Sequence, residues 1–163
     1  MTMWKSDSAE LVLRRQWAEQ LGGEHAVAKH HARGSLTIRE RISGLLDEKS
    51  FKEIGKLTGE GKYQDSGVSE VTPAPYVMGL GEIDGRPVAV GGEDFTVRAG
   101  TSWRGDRRKG GQGGFIEDMA ARYCIPLVNL IDGAGGSVAS LRKRGHAVFP
   151  GVDGFERSVE LMA

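Results

Sequence analysis

The chain lacks the features that would place it in several large classes of protein. It has one cysteine, Cys124, so no disulfide can form within it, which favours a reducing compartment. No apolar run reaches membrane-spanning length, and the N-terminus has no continuous apolar core of the signal-peptide kind. Lysine plus arginine equals aspartate plus glutamate at 22 each, so no net charge favours nucleic acid or a membrane as partner.

Common motifs for metal binding and hydrolysis are also missing. The four histidines form no metal signature, and His30 and His31 are adjacent, so their side chains are expected to point apart on the surface. No G-x-S-x-G motif is present, which leaves a serine hydrolase without local support. Cys124 is expected to pack at a helix-to-strand junction rather than to act as a nucleophile.

The N-terminal third predicts two helices joined by a connector. Ser8 is the expected N-cap of a helix over residues 8–21, and the basic stretch 25–34 is expected to be a connector. A second helix starts near Ile38, because Thr37 and Glu40 form a capping box. The apolar stripe of this helix, extended by Phe51, is expected to be core: Ile38, Ile42, Leu45 and Leu46.

The remainder is rich in glycine and predicts strands. Residues 55–75 are expected to be a surface loop with at most one short strand. Asp84-Gly85 is a favoured hairpin turn between strands 76–83 and 87–90, and residues 94–98 are expected to be another short strand. A helix over 115–123 then precedes the next strand. Helices, strands and then strand–helix–strand alternation predict a layered α/β fold.

The stretch PLVNLIDGAGGSV, residues 126–138, is the most informative one. Residues 126–131 predict a buried strand, and 132–136 follow its carboxyl end, where open α/β sheets place ligands. Glycines let main-chain N–H groups approach a ligand, so such a turn can hold an anion or a developing oxyanion. A tight turn with a purely structural role is the alternative.

A basic loop, WRGDRRKGGQGG at residues 103–114, is the second candidate for binding. Its cations can bind phosphate: Arg104, Arg107, Arg108 and Lys109. The loop lacks the spacing of a P-loop, and aromatic residues stand only at its edges, which gives nucleic-acid stacking little support. A solvated loop and a nucleic-acid segment of the RGG type both stay open.

Three segments in order resemble the carboxyltransferase (β) subunit of biotin-dependent acyl-CoA carboxylases, the group that includes propionyl-CoA and methylcrotonyl-CoA carboxylases. They are HARGSLTIRERISGLLDEKSFKEI at 31–54, GLGEIDGRPVAVGGEDFTVRAGT at 79–101 and AARYCIPLVNLIDGAGGSV at 120–138. The resemblance implies a crotonase-like fold of ββα units, with an N-terminal helical segment at 1–54 and a partial domain at 55–163. Because the family's subunit has two such domains, it also implies a fragment or split piece that self-associates and has little activity alone.

The resemblance further implies transfer of a carboxyl group from carboxybiotin to the α-carbon of an acyl-CoA. The thioester enolate needs preorganised donors; by the family's pattern these are the amides of Gly135 and Gly136, with Gly133 and Ala134 beside them. By the wider crotonase pattern, Ala99 and Gly100 form the other wall, while Arg98 and Lys109 meet CoA phosphates. The chain departs from the family at Gln112, where many members have lysine, and by one extra residue in its glycine turn.

The implied partners are a biotin carboxyl carrier protein with its biotin carboxylase, the missing C-terminal carboxyltransferase half and further copies of the chain. The implied location is cytoplasmic, or the mitochondrial matrix in a eukaryote. No metal is expected in this chain, since ATP and magnesium belong by resemblance to the biotin carboxylase. Two alternatives remain: a subunit of a biotin-dependent acyl-CoA decarboxylase, and a non-catalytic module that binds CoA or acyl-CoA.

Overall fold

The computed structural model describes residues 3–65, 67–101, 109, 114–133 and 159. Helices in these ranges are α1 (Met3–Glu19), α2 (Glu24–His31), α3 (Ile38–Leu45) and α4 (Phe115–Tyr123). Strands are β1 (Lys52–Ile54), β2 (Gly59–Gln64), β3 (Gly67–Pro73), β4 (Tyr76–Ile83), β5 (Arg86–Glu93) and β6 (Leu127–Leu130). None of the described helices is long and apolar enough to cross a membrane.

A four-stranded sheet in the order β1-β4-β5-β6 forms the centre of the fold. β1 and β5 both pair antiparallel with β4, whereas β6 runs parallel to β5. Two neighbouring parallel strands need a crossover connection, and the segment between β5 and β6 contains α4. The expected alternation of strand, helix and strand is therefore present.

The two faces of this sheet are each covered by a helix, because successive side chains of a strand point to opposite sides. Val77, Val88 and Val90 pack with α3 on one face. Tyr76, Met78 and Ala89 lie on the other face with α4. The apolar stripe of α3 is confirmed as core, with Ile38 and Ile42 almost fully buried.

Two local predictions are confirmed in atomic detail. Glu40 N–H donates to Thr37 Oγ1, and Thr37 N–H donates to Glu40 Oε2, which completes the capping box at the start of α3. The β4–β5 hairpin turns at Asp84 and Gly85, where Gly85 has φ +71°. Asp47 accepts the N–H groups of both turn residues, at 3.0 and 2.8 Å, a cap that the sequence pattern did not predict.

The expected loop at residues 55–75 is wrong, because β2 and β3 form a separate two-stranded antiparallel sheet in this region. Most residues of both strands are exposed or only partly buried. Neither strand has a clearly buried face. The alternation of apolar and polar residues by which a half-buried strand is recognised in a sequence is accordingly weak here. α1 packs against β3, so the hairpin obtains its support from a distant segment of the chain.

Both expectations for the first 34 residues need correction. α1 includes Met3, so Ser8 lies within the helix rather than at its N-cap. The expected connector at 25–34 is helical over most of its length, because α2 begins at Glu24, after Gly23 at φ 88°, and continues to His31. Glu24 in its first turn and three basic residues in its last turn complement the helix dipole, which explains why a basic segment rich in histidine is helical.

Cys124 is exposed rather than packed as expected. It is the C-cap of α4 and has a left-handed conformation with φ 53° and ψ 46°. This conformation ends the helix, and the Ile125 N–H then bonds the Ala120 carbonyl at 3.1 Å before β6 begins. The side chain is therefore at the corner of the turn and not inside the junction.

Candidate functional site

Two bends follow β5 and β6 at the same end of the sheet, where the carboxyl ends of both strands lie. β5 and β6 are adjacent and parallel in a register that runs from Ala89–Leu127 to Gly92–Leu130. The first bend, residues 94–100, follows β5, and the second bend begins after β6 at Ile131. Since both follow the carboxyl ends of parallel strands, they lie where open α/β sheets bind ligands.

The first bend is organised by a buried carboxylate, so the strand expected at 94–98 is wrong. Asp94 is 1% exposed and accepts from the Thr96 N–H at 3.0 Å and from the Thr96 hydroxyl at 2.5 Å. Burial raises the pKa of Asp94 above its ordinary value, and the bonds from Thr96 oppose that rise. A short side chain that bonds its own backbone competes with a strand ladder, which explains the turn.

The predicted residues Arg98, Ala99 and Gly100 form a tight left-handed turn with positive φ values of 51°, 51° and 73°. The Gly100 N–H donates to the Val97 carbonyl at 2.9 Å and is therefore used within the bend. The Arg98 side chain extends toward the other hairpin, where Nη2 lies 2.7 Å from Glu60 Oε2. Left-handed conformations at non-glycine residues carry strain, which proteins hold in tight turns and at ligand-binding sites.

The second bend is held at its first polar residue. Asp132 Oδ1 lies 2.7 Å from Arg41 Nη1 of α3, and its main-chain N–H donates to Glu93 Oε2 at 3.0 Å. Gly133 follows with φ +72°, a conformation that glycine adopts without strain. The predicted residues Ala134, Gly135 and Gly136 lie outside the described residues.

A buried hydrogen bond between Tyr76 of β4 and Asn129 of β6 was not predicted from the sequence. Tyr76 donates its hydroxyl to Asn129 Oδ1 at 2.8 Å and is 7% exposed. Burial raises the pKa of Tyr76, and the nearby carboxylates of Glu117 and Glu93 raise it further. A Cβ at Gly91 would lie 2.5 Å from the tyrosine oxygen, so the glycine in β5 makes room for the ring.

Lys109 lies near the end of β1 and lines a small cavity together with Asp94 of the first bend. Its Cε would be 3.3 Å from a Cβ at Gly55, and burial lowers its pKa to about 8. The Glu53 carboxylate opposes that shift, while the Arg39 guanidinium adds to it. Glu53 is already held by Arg39 through two bonds of 2.9 Å.

The described residues contain no group of three or more His, Cys, Asp or Glu side chains that could hold a metal ion. A cavity of about 930 Å³ lies away from the two bends, and its lining includes Arg15, Lys52 and Lys56.

The fold defines an α/β protein in which two bends follow the carboxyl ends of adjacent parallel strands. A family model described as the carboxyl transferase domain matches residues 29–145. The chain belongs to this family, which confirms the resemblance found in the sequence.

Curated relatives agree with this assignment. The chain is 36% identical over 134 residues to the propionyl-CoA carboxylase beta chain of Saccharopolyspora erythraea, a match that covers 80% of this chain and 23% of the relative. It is 40% identical over 94 residues to the methylmalonyl-CoA carboxyltransferase 12S subunit of Propionibacterium freudenreichii, covering 57% and 18%. The chain thus spans about a quarter of the length of the first of these and less of the second.

Solved structures confirm the crotonase-like fold. The transcarboxylase 12S structure with methylmalonyl-CoA bound is 28% identical and has a TM-score of 0.65, with 98% of this chain and 29% of the other covered. A single-chain, multi-domain long-chain acyl-CoA carboxylase is also 28% identical and has a TM-score of 0.69, with 95% and 16% covered. The helices and strands described above thus correspond to part of a carboxyltransferase chain.

Proposed function

We propose that the chain is part of an acyl-CoA carboxylase carboxyltransferase subunit and forms one side of its acyl-CoA site. The carboxyl group comes from carboxybiotin on a partner and is transferred to the α-carbon of the acyl-CoA. The observation that carries this proposal is the pair of bends after β5 and β6, at adjacent carboxyl ends, in a chain of the carboxyl transferase family.

The chemistry assigned to the bends is stabilisation of an enolate. Removing a proton from the α-carbon places negative charge on the thioester oxygen, and preorganised N–H donors stabilise that charge most when they need not move. We assign the amides of Gly135 and Gly136 to this role, flanked by Gly133 and Ala134. In the first bend the Ala99 amide is the candidate donor, because Gly100 already uses its own on Val97.

Two cations are proposed to bind CoA phosphates. Arg98 is partly exposed in its pair with Glu60, so a phosphate can replace that carboxylate at little cost. Lys109 has a pKa of about 8 and is therefore mainly protonated at neutral pH despite its burial. A lysine kept charged in a half-buried position is unfavourable for folding, which supports a functional role.

The relatives support several finer proposals. Propionyl-CoA is the first substrate to test, because the first matched relative is named for it; methylcrotonyl-CoA is a second choice. The proposed partners are a biotin carboxyl carrier protein with its biotin carboxylase, the remaining carboxyltransferase half and further copies of the chain. The solved 12S protein is described as a hexamer. We place the chain in the cytoplasm.

Calorimetric titration of propionyl-CoA and of CoA into the chain tests this proposal. We expect binding of both, and weaker binding of propionyl-CoA to Gly136→Val, whose side chain blocks the approach of the carbonyl to the amides. Gly44→Val is the matched control, because a Cβ at this position of α3 meets nothing within 4 Å. Absence of binding at millimolar ligand would refute the proposal.

Adding the rest of a family-length subunit and a carboxybiotin donor then tests transfer. Restored transfer is expected with the wild-type chain and not with Gly136→Val. Binding without any restored transfer would instead favour a non-catalytic acyl-CoA-binding module.

A further inference from the structure

The first strand of the central sheet, β1, is an edge strand that borders a cavity. β1 lies outside β4 in the strand order, and no other described strand pairs with it. Phe51 and Glu53 point to one face of the sheet and Lys52 to the other, yet all three line the cavity of about 930 Å³. Because residues from both faces line it, this cavity follows the open edge of β1.

The hydrogen-bonding pattern of the sheet determines which main-chain groups of β1 face this edge. In β5 the Ala89 N–H donates to the Pro126 carbonyl, toward β6. The next residue, Val90, therefore bonds toward β4, where its partner is Gly79. Since Gly79 uses its main-chain groups on β5, Glu53, which lies opposite it in β1, forms no main-chain bond with β4. The N–H and C=O of Glu53 thus point outward, and no other described residue bonds them.

The rim of this cavity is basic. Arg15 of α1 and Lys52 are exposed and form no ion pair with any described residue. Lys56 adds a third cation, which is shared with two carboxylates. The Glu53 carboxylate is only 10% exposed and is bound by two guanidinium nitrogens of Arg39 at 2.9 Å. It therefore cancels little of the positive charge at the rim.

A donor and an acceptor beside cations favour one class of ligand. Phosphate accepts hydrogen bonds through its oxygens but leaves the Glu53 carbonyl without a donor. A peptide in extended conformation supplies both groups when it adds to a sheet edge, and acidic side chains then meet Arg15 and Lys52. A second copy of β1 would bring like charges together, which disfavours pairing between two such edges.

We propose that β1 is a docking site for an acidic peptide segment of a partner protein, which adds to the sheet as a short antiparallel strand. The N–H and C=O of Glu53 pair with one residue of that segment, and Arg15 and Lys52 bind its carboxylates. Phe51 and Leu57, which also line the cavity, contact its apolar side chains. Because β1 has only three residues, binding needs charge as well as main-chain pairing.

Fluorescence anisotropy with a short labelled peptide of alternating glutamate and valine tests this proposal on the full chain. We expect binding that weakens with salt, and none of the counterpart with lysine in place of glutamate. Methylation of every peptide amide should reduce the affinity roughly tenfold, because it removes the hydrogen-bond donors and keeps the charge. Lys52→Glu and Arg15→Glu should each weaken binding, whereas Arg86→Glu, a matched charge reversal at an exposed position of β5, should not.

Amide hydrogen exchange followed by NMR locates the bound peptide, since the Glu53 N–H should become protected when the acidic peptide is added. Absence of binding at millimolar peptide, or binding without this protection, would overturn the proposal. Equal binding of the methylated peptide, with displacement by inorganic triphosphate, would instead identify a site for anions. Protection of the same N–H through self-association of the chain alone would identify an interface between copies. These measurements use the wild-type chain and do not depend on the folding of any variant.

Discussion

Replacing Lys109 by methionine should stabilise the folded chain. Burial lowers the pKa of this lysine from 10.5 to about 8, so the charged form is disfavoured in the native state. A difference of one pKa unit corresponds to about 1.4 kcal/mol, so the protonated lysine destabilises the fold by about 3 kcal/mol. Methionine has similar length and no charge, so Lys109→Met removes this penalty.

The stability difference between Lys109→Met and the wild type should depend on pH in a defined direction. Above pH 10.5 the lysine is neutral in both the folded and the unfolded state and imposes no penalty. As the pH falls toward 8 the unfolded chain takes up the proton first, so the wild-type chain loses stability, and below pH 8 the penalty is complete. The stability gained in Lys109→Met should therefore be largest at pH 7 and vanish near pH 10.5.

Guanidinium chloride unfolding of both proteins between pH 7 and 10.5 measures this difference, because other titrating groups contribute equally to the two. Lys29→Met, at an exposed position of α2, is the control and should change stability little at any pH. A Lys109→Met chain that is less stable than the wild type at pH 7, or a difference that does not vary with pH, would refute the reasoning. The same variant should bind CoA more weakly if Lys109 contacts its phosphates.

Three further predictions concern the fold. Asp47→Ala leaves the two amides of the β4–β5 turn without their acceptor and should lower the free energy of unfolding by about 1–2 kcal/mol in a denaturant titration. Gly91→Ala drives a methyl group against the Tyr76 hydroxyl and should cost about 1–3 kcal/mol in the same assay; an unchanged midpoint would contradict the packing. Hydrogen bonds from His31 and, with a smaller effect, from Thr37 lower the pKa of Glu40 to about 2. The stabilisation of the folded chain by ionised Glu40 is therefore present above pH 4.5 and is lost as the pH falls toward 2. Melting curves at decreasing pH should therefore fall less for Glu40→Gln than for the wild type, and parallel curves would count against this origin.

Elements with strong local signals were predicted well from the sequence. The capping box of α3, the Asp84-Gly85 hairpin and the bounds of α4 all depend on residues within a few positions of each other. The family was also within reach, because its segments occur in the right order along the chain. The glycine turn was located from one of these family segments. Gly135 and Gly136 lie outside the described residues, so their assigned role stays a prediction.

Only the tertiary structure decided the contacts between distant parts of the chain. The β2–β3 hairpin has weak alternation and is supported by α1, so no local pattern marks it. The partner of Asp132 is 91 residues away in sequence, and nothing near either residue indicates that Arg41 contacts Asp132 while Arg39, two positions earlier, binds Glu53. Local sequence determines backbone conformation because the competing bonds are local, whereas the pairing of remote charges depends on how the helices and the sheet pack together.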